Sequence, residues 1–111
     1  MARITLARGD VYWVNLEPTV GTEIKKTRPA VVVSNDACNR YGARVVVVPM
    51  TSNVTSLYPG EAQVLIAKRE SRVLGDQLRS IDKARLGKRI GRLSREDLAK
   101  VDDALRITLD L

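Results

Sequence analysis

Apolar residues in this chain of 111 fall in short runs, most of them the length of a strand rather than a helix. Val11-Tyr12-Trp13-Val14-Asn15-Leu16 is rich in aromatic and branched residues and predicts a first strand. The turn Arg8-Gly9-Asp10 leads into it and Glu17-Pro18-Thr19 ends it. Trp13 lies inside the strand and is expected in the core. A polar loop from Gly21 to Thr27 precedes a second strand, Ala30 to Ser34. Pro29 joins the two. It has no N–H and pushes Arg28 away from helical torsions, so Arg28 is expected in extended backbone where the loop enters the sheet.

Asn35 to Gly42 is too polar for core and predicts a turn or one turn of helix. Arg44 to Met50 predicts a third strand, its valines buried on both faces, with Pro49 near the end. Thr51 to Gly60 is a hydroxyl-rich loop, and Glu61 to Ala67 alternates as a half-buried strand does. Arg72 to Ile81 reads as one bent strand or two short ones, with a bulge at Gly75. Arg85 to Leu93 holds another short strand. Ser94 starts a helix in which Leu98, Val101, Leu105 and Leu109 form a narrow apolar stripe. Asp97 stands where a capping box has its acid. The sum is a mainly β (α+β) fold: a small, bent, SH3-like or barrel-like antiparallel sheet with a C-terminal α-helix, one domain over residues 1–111.

Composition adds limits. The apolar fraction of 44% and charged fraction of 29% are those of an ordinary globule, and no run approaches a membrane span. Met1 to Leu6 has no long apolar core of a secretory leader, so the expected location is cytoplasmic. Cys38 is the only cysteine, which excludes an internal disulfide and a thiolate zinc site. There is no histidine, so acid–base work falls to carboxylates, Arg, Lys, hydroxyls or that thiol. The net charge is +6, and Lys83 to Arg95 holds six cations and no acid, whereas five acids follow from Glu96 onward. A basic body with an acidic final helix suggests a polyanionic partner, nucleic acid or an acidic protein segment. A solvated face is the bland alternative for that patch.

Four blocks then resemble one family. Arg8-Gly9-Asp10-Val11-Tyr12-Trp13 with Pro18, Gly21-Thr22-Glu23 with Lys26 and Arg28-Pro29-Ala30-Val31-Val32-Val33-Ser34, Val48-Pro49-Met50-Thr51-Ser52, and Asp76-Gln77-Leu78-Arg79-Ser80-Ile81-Asp82 occur in the order of the MazF/PemK/Kid toxins. The resemblance implies a sequence-specific endoribonuclease that cuts single-stranded RNA without a metal or other cofactor, forms a homodimer and is silenced by an acidic antitoxin. It puts the family's catalytic Arg on Arg28, its Thr on Thr51, and the Glu that some members use on Glu23. Position 22, often Ser in the family, is Thr here.

The residues suit that chemistry. Cleavage by the substrate's 2′-hydroxyl needs positive charge at the phosphorane, and the planar fork of Arg28 can pair with two phosphate oxygens. Thr51 can hold a phosphate oxygen or orient the 2′-hydroxyl, or it can merely cap a strand end. Glu23 can act as base, or pair with Lys25 or Lys26 in solvent. Lys25 and Lys26 are expected on flanking phosphates, which makes binding salt-sensitive. Thr22, Ser52, Asn53, Gln77 and Arg79 offer polar groups to base edges, and Tyr12, Tyr41, Tyr58 and, as the second reading of a residue expected in the core, Trp13 offer stacking surfaces. Gln77 has a second reading, as a tie between the bent strand and the first loop. Two rival functions use the same residues: a topoisomerase poison of the same fold, and a noncatalytic RNA-binding module.

Overall fold

The computed structural model of the chain describes residues 6–111. In chain order it holds β1 (Asp10–Asn15), β2 (Thr27–Val32), α1 (Asp36–Tyr41), β3 (Arg44–Thr51), β4 (Glu61–Ile66), β5 (Arg69–Leu74), β6 (Arg79–Asp82), β7 (Leu86–Arg92) and α2 (Arg95–Leu109). All pairings are antiparallel, in the order β4-β5-β3-β2-β1-β7, with β6 paired to β3 beside β5. This is the bent sheet with a C-terminal helix that the apolar pattern predicts. No helix among the described residues is long and apolar enough to cross a membrane.

The valine runs work on both faces because side chains alternate along a strand. Val11, Val31 and Val48 lie in one register row and pack with Met50, Val64, Val73, Val101 and Ala104 beneath α2. Tyr12, Val14, Ala30, Val32, Val45, Val47 and Ile81 form a second cluster on the other face, flanked by Ile24 and Leu86. The central strand is β3. Along one edge it follows β2; along the other its first half pairs with β6 and its last two residues, Met50 and Thr51, pair with β5.

Several local expectations shift. β2 begins at Thr27, three residues before Ala30, so Arg28 lies within the ladder opposite Val14. Residues 36–41 form a genuine short helix, capped by the Asn35 side chain accepting from the Cys38 amide at 2.8 Å. Gly75 is not a bulge. It opens a 3-10 turn that separates two short strands, and a Cβ there would stand 2.2 Å from the Gly60 carbonyl oxygen. β4 and β5 are joined by Ala67 and Lys68 alone, both with positive φ (49° and 63°), the torsions of a type I′ hairpin without its usual Asn-Gly. The capping box is half made. Ser94 accepts from the Asp97 amide at 3.1 Å, but the Asp97 carboxylate accepts from the Leu65 amide of β4 at 2.9 Å instead of returning to Ser94. Of the predicted stripe, Val101 is buried and Leu98 and Leu105 are half-buried, while Leu109 is exposed; Ala104 takes its place in the core.

Candidate active site

A groove of about 470 Å³ opens where β2 begins and β3 ends. Trp13, Pro29 and Met50 lie in it, with Trp13 paired to Pro29 across β1 and β2. Arg28, Thr51 and Ser52 line one part, and Ile66, Ala67, Arg69 and Ser71 of the β4–β5 hairpin line another, with Ile90 of β7. The register explains why Arg28 and Thr51 share this groove. Ala30 pairs with Pro49, and continuing that antiparallel register by two residues puts Arg28 opposite Thr51.

Arg28 is half-buried, and its Nε donates to the Lys25 carbonyl at 3.2 Å. Its two terminal nitrogens have no protein partner among the described residues, which leaves the fork available for an oxyanion. The Thr51 hydroxyl accepts from the Asn53 amide at 3.3 Å. The strand-end role is therefore real, but an accepting hydroxyl still has its own proton to donate. Lys26, in a left-handed turn at φ 70°, also lines the groove, and its amide donates to the Glu17 carboxylate at 2.8 Å. Lys26, Arg28 and Arg69 are the charged residues of this lining; no acid belongs to it.

The other expected residues sit elsewhere. Thr22, Glu23, Gln77 and Arg79 line a second depression of about 180 Å³ with Ile24, Asp76 and Leu78. There Glu23 Oε1 accepts from the Val20 amide at 2.6 Å, closing its own loop, and it forms no ion pair with Lys25 or Lys26. The structure does not bring Glu23 into the groove of Arg28 and Thr51. Gln77 Oε1 accepts from the Ile24 amide at 3.3 Å, which is the loop tie. Arg79 donates to the Leu16 carbonyl at 3.1 Å. Lys25 and Asn53 are exposed and line neither depression; the Asn53 side chain accepts from the Thr55 amide and hydroxyl and shapes its own loop.

Trp13 corrects the reading of it as core: it is 42% exposed, on the opposite face from buried Tyr12 and Val14. The unbroken apolar run Val11 to Val14 hid this, since Val11 shares the face of Trp13 and is fully buried. Tyr12, one of the proposed stacking rings, is buried and cannot stack on a base; Tyr41 and Tyr58 are exposed but line neither depression. Sequence reading also missed Arg69 and Ser71, because a hairpin turned by Ala67-Lys68 has no Gly or Asn to announce it. The Lys83–Arg95 patch is partly structural. Arg85 donates to the carbonyls of Asn15 and Glu17, and Arg89 pairs with buried Asp10 at 3.2 Å, fastening β7 to β1. Lys88, Arg92 and Arg95 remain exposed.

Residues 7–109 match the model of the PemK-like, MazF-like toxin of type II toxin-antitoxin systems. The chain belongs to this toxin family. It is 40% identical to the endoribonuclease MazF9 of Mycobacterium tuberculosis, over 96% of this chain and 98% of that one. It is 38% identical to the endoribonuclease EndoA of Bacillus subtilis, over 94% of each. Among solved structures, MazF of Deinococcus radiodurans superposes with a TM-score of 0.86 at 28% identity, covering 98% of this chain and 100% of that one. A mycobacterial endoribonuclease in complex with its cognate antitoxin superposes at 0.80, with 27% identity and 96% of each chain covered. The match spans the groove, so Arg28 and Thr51 fall inside the shared toxin fold.

Proposed function

We propose that this toxin-family chain is a sequence-specific endoribonuclease that binds single-stranded RNA in the Arg28–Thr51 groove and cuts it without a metal. The observation that carries this reading is the meeting of an unpaired guanidinium fork and a threonine hydroxyl in one groove lined by cations. The substrate's 2′-hydroxyl attacks the adjacent phosphorus, the new 2′-O–P bond forms, and the P–O5′ bond breaks. Arg28 meets the charge that builds on the non-bridging oxygens. Thr51 orients the 2′-hydroxyl. With no carboxylate in the lining, the attacking proton passes to solvent, and the leaving 5′-oxygen takes one from water. The products are a 2′,3′-cyclic phosphate and a free 5′-hydroxyl.

Lys26 and Arg69 hold flanking phosphates, and Trp13 offers an exposed ring on which a base can stack. The second depression, with Thr22, Glu23, Gln77 and Arg79, reads a neighbouring base edge; Glu23 acts there as an acceptor rather than as the base of the reaction. An acidic antitoxin fits a groove whose charged residues are all cations, and its binding would exclude RNA. We place the protein in the cytoplasm as a homodimer.

The test is incubation with a long single-stranded RNA in chelator. Discrete cuts ending in cyclic phosphate and 5′-hydroxyl support the reading. Intact RNA with natively folded protein refutes it, and gel retardation then separates an RNA-binding module from a toxin that acts on another target.

A further inference from the structure

Among the described residues, one ion pair is nearly closed off from solvent on both sides. Arg72 of β5 and Glu61 of β4 stand 3.6 Å apart, with side chains only 15% and 13% exposed. Both also hold the backbone of the same loop, residues 52–60. Arg72 Nη1 donates to the Ser56 carbonyl at 2.6 Å, and Glu61 Oε1 accepts from the Tyr58 amide at 3.0 Å. Arg72 lies directly opposite Thr51 in the β3–β5 register. The pair therefore sits where Thr51 gives way to the loop that carries Ser52 into the groove.

Stability alone does not account for it. A buried ion pair is often no better than well-packed apolar side chains in the same space. This one is also incompletely satisfied, because Arg72 Nε is buried with no partner among the described residues. What the pair supplies, and apolar residues cannot, is two directional hydrogen bonds to a segment that forms no strand or helix and is exposed at Ser52, Asn53 and Thr55 to Pro59.

We infer that Arg72 and Glu61 are positioning residues for substrate recognition, fixing loop 52–60 so that Ser52 keeps a constant place on the groove wall, while the β3–β5 backbone pairing holds Thr51. The inference rests on the ribonuclease reading above. Neither side chain lines the groove. Loosening the loop blurs the placement of the RNA while leaving Arg28 and its charge in place, so binding and sequence choice suffer more than the chemical step.

The experiment uses Arg72→Met, which keeps the aliphatic stem and removes the fork, and Arg72→Lys, which keeps the charge. Three quantities are read: amide hydrogen exchange at Tyr58, kcat and KM on an oligoribonucleotide bearing the mapped cut site, and the spectrum of cuts along a long transcript. Arg72→Met loses the hydrogen bond to the Ser56 carbonyl and frees Glu61 from its partner, so local opening of the loop, read by Tyr58 exchange, should speed about tenfold, the scale of that one hydrogen bond. KM should rise about tenfold with kcat within about threefold of the parent, and cuts should appear at sequences the parent spares. Arg72→Lys should restore part of each. Unchanged exchange at Tyr58 overturns the clamp, and so does a folded Arg72→Met protein with the parent's KM and cut spectrum. If Arg72→Met fails to fold, Glu61→Gln, which retains an acceptor for Tyr58, carries the same comparison with smaller shifts. If the parent itself leaves RNA intact, the ribonuclease reading has failed, and Tyr58 exchange alone decides the clamp.

Discussion

Replacing Arg28 by lysine keeps one positive charge and removes the fork. In the parent, Nε is already turned to the Lys25 carbonyl and the two terminal nitrogens have no protein partner among the described residues. A phosphorane held by both receives two charge-assisted hydrogen bonds; an ammonium on a shorter, mobile stem makes one. A charge-assisted bond contributes about 1.5–3 kcal/mol. At about 1.4 kcal/mol per tenfold in rate, the lysine variant should cut roughly ten- to hundredfold more slowly. Alanine loses both contacts, and the cost of a missing oxyanion donor, about 3–4 kcal/mol, gives a loss of roughly 10²- to 10³-fold. Folding should barely register either change. Arg28 is half-buried, and its one protein hydrogen bond, to a loop carbonyl, contributes about 1 kcal/mol. The assay is single-turnover cleavage of an end-labelled oligoribonucleotide in chelator, with protein in excess, beside urea unfolding of the same preparations. A lysine variant that cuts within about threefold of the parent would remove the paired contact from the mechanism.

Other residues make separate predictions. Tyr12 is buried, its hydroxyl without a partner among the described residues, and burial, with the nearby Asp10 carboxylate, pushes its pKa above the ordinary tyrosine value of 10.0. The folded state thus holds that proton more tightly than the unfolded chain, so this contribution is complete below pH 10.0 and is lost as pH rises through the raised value. Tyr12→Phe should raise stability at neutral pH by about 1 kcal/mol and weaken the alkaline loss; a lower melting temperature contradicts the burial argument. Glu23→Gln should change kcat by no more than about threefold, and the parent's rate should climb steadily with pH; an acid limb that vanishes in the variant would restore Glu23 as base. Lys68→Gly relieves a left-handed torsion at φ 63° and should stabilise the fold by about 1 kcal/mol in thermal melts, with no gain meaning that the turn is not strained. Arg69→Gln should flatten the salt dependence of RNA binding by about 0.7 in log–log slope, and an unchanged slope takes Arg69 off the phosphate path.

The sheet was legible because valine runs bounded by polar segments admit few alternatives, and the final helix because its cap and stripe agree. The position of Arg28 where the loop enters the sheet was legible through Pro29, whereas Thr51 was singled out by the family resemblance and is brought to the same groove by the antiparallel register. What stayed hidden depended on neighbours. Whether Trp13 faces core or groove turns on what covers that face of β1, and no window of sequence contains that. The β4–β5 hairpin is turned by residues whose torsions only the tertiary fold imposes. Asp97 sits where a capping box would place it, yet β4 offers its carboxylate a backbone amide from another element. The acid in the first loop looked like a base because it is the only carboxylate there, while its hydrogen bond to Val20 is visible only in three dimensions.

The groove draws its lining from β1, β2, β3, the β4–β5 hairpin and, last in the chain, Ile90. A growing polypeptide therefore cannot assemble the complete cleft until translation has run past that isoleucine and the segment has cleared the ribosome. Fragments ending before Leu86 should therefore neither bind nor cut RNA, and a nascent chain should spare the message being read until its own synthesis is nearly over.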